Sequence, residues 1–133
     1  MARIIVVDDD ELFCDLVCET LAEAGHMVSA VHDGERALAV IADGQPDVLV
    51  LDYNLPDISG LEILRRTRDD PVTRNVPIMM LTREDGRLMK VRADRDGADD
   101  YVVKPCSPDD LLRHVESLLI GRGILTRLGA AAN

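Results

Sequence analysis

The stretch Ile4-Ile5-Val6-Val7-Asp8-Asp9-Asp10 reads as one strand followed at once by three acids. An unbroken β-branched run suits a strand buried on both faces, the situation inside a parallel sheet. The acids mark where that strand ends. The same alternation continues down the chain. Glu11 to Ala24 carries Phe13, Leu16, Val17, Thr20 and Leu21 at helical spacing, and Gly25 is placed to end the helix. Met27 to Val31 reads as a second strand, Glu35 to Ala42 as a second helix stopped by Asp43-Gly44, and Val48 to Leu51 as a third strand. Asn54-Leu55-Pro56-Asp57 is turn chemistry, and Ser59 stands as an N-cap with Glu62 three residues on. Ile78 to Leu81 is a fourth strand, Leu88 to Arg95 a weaker helix with Gly97 after it, and Tyr101 to Val103 a short fifth strand. Ser107-Pro108 opens a last helix with Leu111, Leu112, Val115, Leu118 and Leu119 on one side, and Pro is well suited to the first helical position. Five strand-then-helix units predict an α/β fold, a parallel sheet with helices on both faces.

The 133 residues fit one domain. At 47% hydrophobic and 30% charged, the chain can bury a core of its own, built from Leu, Ile, Val, Met and Ala because aromatics are only 2%. One Phe and two Tyr supply few stacking platforms, and a net charge of −10 repels phosphate backbones, so direct nucleic-acid binding is not expected. Cys14, Cys18 and Cys106 form no disulfide framework. Cys14 and Cys18 with His26 would be an alternative metal set, but they lack C-x₂-C or H-x₃-H companions. The start of the chain turns acidic too soon for a signal peptide, and no apolar run approaches a membrane span. Reduced thiols in a cytoplasmic protein are therefore expected.

In a parallel sheet all carboxyl ends lie along one edge, and ligands bind there where the strand order reverses. Asp8, Asp9 and Asp10 follow the first strand, Asp52 the third, Thr82 the fourth, and Lys104-Pro105 the fifth. Only the second strand ends in ordinary turn material, His32-Asp33-Gly34. Carboxylates brought together raise one another's pKa, and a hard divalent cation removes that cost. Mg²⁺ prefers such oxygen ligands. A carboxylate beside the ion can attack phosphorus, a lysine can neutralise a phosphoryl oxygen, and a hydroxyl can donate to another. Singly, an Asp after a strand is a turn residue or a cap, and Asp10 fits a cap. The weight lies in four such groups ending strands of one sheet.

The segments Ile4 to Asp10, Val50-Leu51-Asp52-Tyr53-Asn54-Leu55-Pro56-Asp57-Ile58-Ser59-Gly60, Met80-Leu81-Thr82 and Gly97-Ala98-Asp99-Asp100-Tyr101-Val102-Val103-Lys104-Pro105 resemble the receiver domains of two-component response regulators. The resemblance runs over about residues 3–120, leaving 121–133 as a tail or the start of a linker. It implies a flavodoxin-like, doubly wound five-stranded sheet in the order 2-1-3-4-5, with five helices. It also implies that Asp52 accepts a phosphoryl group from a histidine kinase or a histidine phosphotransfer protein. Asp8, Asp9, Asp52 and the backbone carbonyl of Asn54 would hold Mg²⁺, and Thr82 and Lys104 would bind the phosphoryl oxygens. Thr82 and Tyr101 would move on phosphorylation, and the surface of helix four, strand five and helix five would change its partner, an output domain or a downstream protein. Such a chain catalyses its own phosphorylation and dephosphorylation and is not a metabolic enzyme.

The chain also departs from that pattern. Arg83 stands where a small residue usually follows the Thr, so Arg83 and Glu84 would line the mouth of the site, with Arg83 narrowing the path to Asp52. Cys106 stands where Phe usually follows Lys-Pro. Asp99-Asp100-Tyr101 resembles receivers that dimerise, but those tend to carry Arg where this chain has His114, which leaves a homodimer open. Two other readings compete. A haloacid-dehalogenase-type phosphatase would use Asp8 as nucleophile in Asp8-Asp9-Asp10-Glu11-Leu12, but its fifth motif residue is wrong and Asp52 would have no role. A receiver fold kept only for protein binding would typically have lost the acceptor, the acidic pair or the lysine, and all three are present.

Overall fold

The computed structural model describes residues 2–83 and 87–123. The elements run β1 (Arg3–Val7), α1 (Glu11–Glu23), β2 (Met27–Val31), α2 (Gly34–Gly44), β3 (Val48–Asp52), α3 (Gly60–Asp69), β4 (Ile78–Thr82), α4 (Arg87–Asp96), β5 (Asp100–Val103) and α5 (Pro108–Gly121). All neighbouring strands pair in parallel, in the order β2-β1-β3-β4-β5. This is the flavodoxin-like sheet expected from the sequence. Its strand order reverses beside β1, where ligands bind in such sheets.

The core has two layers because successive strand residues point to opposite faces. Val6, Val50 and Leu81 face α1 and α5, where Cys14, Val17, Leu21, Leu111, Val115 and Leu119 are buried. Ile5, Val7, Leu49, Leu51 and Met80 face the other side, with Ala37, Ile41, Leu61, Ile63, Leu64 and Ala93. β3 and β4 are buried along their whole length, and β1 everywhere but Arg3. β2, an edge strand, buries only Val31.

Two expectations are corrected. On α1 the buried residues are Cys14, Val17 and Leu21, while Leu16 is exposed. The thiol behaves as a small hydrophobe and carries the stripe one position away from Phe13. Helix α2 is not stopped by Asp43-Gly44: it runs through Gly44, and Gln45 takes the left-handed cap at φ 40°. Gly44 lies close to Ile5, and its carbonyl accepts from the Arg3 guanidinium at 3.0 Å.

Four helices start on the expected kind of cap. Asp10, Asp33, Ser59 and Ser107 each accept a hydrogen bond from the backbone N–H three residues on. At the opposite end of the sheet, Arg68 of α3 donates to the carbonyls of Gly97, Arg74 and Val76 and pairs with Asp99 at 2.9 Å. Asp99 also accepts from the Ile78 N–H at 2.8 Å. Asp100 meets His114 Nδ1 at 2.7 Å. Both acids of the Asp99-Asp100-Tyr101 motif thus have partners within the chain. Among the described residues, no helix is long and apolar enough to cross a membrane.

Candidate functional site

The strand register brings the acids together. Val7 is level with Leu51, and Asp52 with Leu81. Asp8, one residue beyond Val7, therefore lies beside Asp52. Lys104 follows β5, whose last residue Val103 is level with Thr82. Asp8 and Thr82 are fully buried, Asp52 is nearly so, and Asp9 is exposed. Each of Asp8, Asp9 and Asp52 offers one carboxylate oxygen, and these oxygens all lie within 4.8 Å of one another. Such a cluster is capable of coordinating a divalent cation.

The polar atoms of Asp8, Asp52 and Lys104 are directed. Asp8 Oδ1 accepts from the Asp10 N–H at 2.9 Å, and Oδ2 is paired with the Lys104 ammonium. The carbonyl of Asp8 accepts from the Cys14 thiol at 3.4 Å and lies 3.0 Å from His32 Nδ1. Asp52 Oδ1 accepts from the Asn54 N–H at 3.2 Å, and Oδ2 is 3.6 Å from Lys104 Nζ. The ammonium also sits 4.6 Å from the centre of the Phe13 ring. Burial, and next the negative charge of Asp8, push the Asp52 carboxyl up to about 6, against the opposing pull of Lys104 and the Asn54 N–H. Burial pulls Lys104 down, but the hydrogen bond and charge of Asp8 and the charge of Asp52 outweigh it, so its pKa is raised.

Asp8, Asp9, Asp52 and Lys104 are thus brought together, with Asn54 bound to Asp52 through its N–H. Tyr101 is half-buried beside Met80 and packs on the α2–α3 side of the sheet. Arg83 is exposed and lines a cavity with Phe13 and Lys104. Glu84 lies outside the described residues. Among the described residues, Cys14, Cys18 and His26 do not form a metal-holding group. Cys14 is pushed up to about 12 and Cys18 is raised, both chiefly by burial, and His26 Nε2 faces Glu116 at 3.5 Å.

Sequence reasoning missed Gly60, the first residue of α3. A Cβ there would stand 2.2 Å from the Asp52 carbonyl oxygen and 2.8 Å from Tyr53 Cα. Only hydrogen fits, so the helix start can pack on the backbone that carries Asp52. Its presence directly after the Ser59 cap was the available signal. His32 and Phe13 were missed because their roles depend on contacts between distant segments.

Residues 4–116 match the response regulator receiver domain family. The chain belongs to that family. This receiver domain is 42% identical over 117 residues to the transcriptional regulatory protein TrcR of Mycobacterium tuberculosis, covering 88% of this chain and 45% of that protein. It is 39% identical over 119 residues to the phosphate regulon transcriptional regulatory protein PhoB of Rhizobium meliloti, covering 90% and 52%. Its fold is similar to that of the chemotaxis protein CheY4 of Vibrio cholerae, with a TM-score of 0.85, 34% identity, and coverage of 90% of this chain and 99% of that one. The chain spans about half the length of these curated regulators. The cluster of Asp8, Asp9 and Asp52 is of the phosphate-accepting, cation-binding type found in receiver domains.

Proposed function

We propose that this receiver takes up one phosphoryl group on Asp52, with Mg²⁺ held by Asp8, Asp9, Asp52 and the Asn54 carbonyl. The observation that carries this reading is the convergence of three carboxylates within 4.8 Å, with Lys104 paired to Asp8 and 3.6 Å from Asp52. Bound Mg²⁺ would supply positive charge to offset the carboxylates and the incoming phosphoryl oxygens. The Asp52 carboxylate attacks phosphorus, a bond from Asp52 oxygen to phosphorus forms, and the bond from phosphorus to the donor breaks. Lys104 then trades part of its hold on Asp8 for a phosphoryl oxygen, and the Thr82 hydroxyl donates to another. Thr82 and Tyr101 carry the change to the surface of α4, β5 and α5. The donor is a histidine kinase or histidine phosphotransfer protein, and the output is a following domain or a separate partner. In this reading the switch unit is residues 3–120, with 121–133 as tail or linker, working in the cytoplasm without touching nucleic acid itself. A homodimer through that surface would need contacts beyond the intrachain pairs of Asp99 and Asp100.

The direct test is incubation with acetyl phosphate. One phosphoryl group per chain is expected with Mg²⁺ and none with excess EDTA. Equal uptake under both conditions would contradict the assigned role of the cation.

Lys104→Ala should leave Mg²⁺ affinity unchanged or up to about tenfold tighter, because the removed charge opposes the cation. The same variant should take up phosphate without the change in the surface of α4, β5 and α5. Titration of Mg²⁺ against thermal stability reads the first effect, and a marked loss of affinity would contradict the role given to Lys104.

In metal-free protein, Asp52 should also set a pH dependence. Its folded pKa of about 6 lies above the ordinary 3.8, so the folded state holds the proton more tightly. The cost of burying the ionised carboxylate is fully present above about pH 6 and is relieved as pH falls toward 4. Asp52→Asn lacks that cost. It should melt a few degrees above wild type in EDTA near pH 8, with the gap narrowing below about pH 6 and closing toward pH 4. A gap independent of pH would assign the effect to something other than the Asp52 proton.

A further inference from the structure

Next to the acidic corner, and sharing Lys104 with it, lies a cavity of about 400 Å³ lined by Asp10, Phe13, Arg83, Lys104, Pro105 and Cys106. That volume falls in the range of small-molecule sites, about 300–1,000 Å³. Lys104 is its shared wall: the ammonium meets Asp8 and Asp52, and the Phe13 ring packs against it. A molecule delivering phosphorus to Asp52 from this side would leave its remaining part in the cavity.

The lining says what that part would be. Phe13, Pro105 and Cys106 give an apolar floor. Burial raises the Cys106 thiol, which keeps it neutral. Arg83 at the exposed rim presents a planar cation, suited to stack on a flat ring or to pair with an acyl oxygen. Asp10 is held as the α1 cap by the Phe13 N–H, which leaves Lys104 and Arg83 as the lining groups that can meet the donor's carboxyl oxygens. Cys106 lines the cavity with a small side chain, so a larger side chain at that position is expected to take up part of the volume.

We propose that this cavity is a subsite for the apolar organic group of a small acyl phosphate, so that the receiver selects among low-molecular-weight donors by that group. The proposal rests on Asp52 as acceptor. In the step, an Asp52 carboxylate oxygen bonds to phosphorus, the bond from phosphorus to the acyl oxygen breaks, and the free carboxylate leaves with the electron pair. Aryl acyl phosphates therefore gain from the cavity, and acetyl phosphate, too small to fill it, does not.

The test compares phosphoryl uptake from acetyl phosphate and benzoyl phosphate, with Mg²⁺, in wild type, Cys106→Leu and Cys106→Phe. Filling the cavity should lower the benzoyl-to-acetyl rate ratio about tenfold in the Phe variant, the discrimination that a hydrophobic pocket gives, with Leu in between. Acetyl phosphate rates should stay within about twofold of wild type, which also reports that the variants are folded. Benzoate should compete with acetyl phosphate in wild type and not in Cys106→Phe. An unchanged ratio across the three proteins, or no competition by benzoate, would overturn the subsite while leaving Asp52 as acceptor. Failure of acetyl phosphate to label wild type would overturn the acceptor, and the subsite with it.

Discussion

Asp52→Asn is expected to abolish phosphoryl uptake from acetyl phosphate with Mg²⁺. The amide is close to the carboxylate in size, so the side chain keeps its place at the end of β3 and can still accept from the Asn54 N–H. What is lost is the anionic oxygen that bonds to phosphorus, and an amide is a poor nucleophile. Neighbouring acids do not replace it. Asp8 is held by Lys104 and the Asp10 N–H, and Asp9 is exposed at the rim. Removing one of three crowded carboxylates also relieves repulsion, so the variant should be folded. Labelling at near the wild-type level would remove Asp52 from its assigned role.

The second large effect is structural. Gly60→Ala should destabilise the chain by about 3 kcal/mol, near the upper end for forcing atoms into a packed site. At this chain length that lowers the melting temperature by roughly 10 °C. The added carbon would meet the Asp52 carbonyl oxygen at 2.2 Å and Tyr53 Cα at 2.8 Å. Both are backbone atoms and cannot swing aside. The Gly60 N–H also donates to the Tyr53 carbonyl at 2.8 Å, tying the helix start to the same turn. Either α3 or the end of β3 must shift, and Asp52 moves with the latter, so phosphoryl uptake should fall as well. Gly121→Ala is the control. It lies in the last turn of α5 with nothing within 4 Å of an added Cβ, so it should be neutral or slightly stabilising. Equal melting of wild type and Gly60→Ala would show that the β3–α3 turn has room that these distances deny.

The fold was legible where burial is strongest. Ile4 to Val7, Val48 to Leu51 and Ile78 to Leu81 are apolar on both faces, a pattern that solvent-facing strands do not tolerate, and they form the three central strands. The site was legible for a related reason: Asp8, Asp52, Thr82 and Lys104 each follow a strand directly, and parallel strands bring their ends to one edge. What stayed hidden depends on contacts between segments far apart in the chain. Arg68 reads as one more basic residue on a polar helix face, yet it joins α3 to the starts of β4 and β5. Cys14 was passed over as part of the stripe because a thiol is not counted among the large hydrophobes. Gln45 was missed because the neighbouring Gly44 is the usual choice for a left-handed cap. Asp99 and Asp100 resemble a dimer motif in sequence, and only the folded chain brings Arg68 and His114 to them.

The most direct measurement is the location of the phosphoryl group. Chain treated with acetyl phosphate and Mg²⁺ is trapped, digested and mapped by peptide mass spectrometry. A single phosphoryl group on Asp52 is the predicted result. A phosphoryl group on Asp8 or Asp9, with Asp52 unmodified, would contradict it and return the phosphatase-type reading of Asp8-Asp9-Asp10.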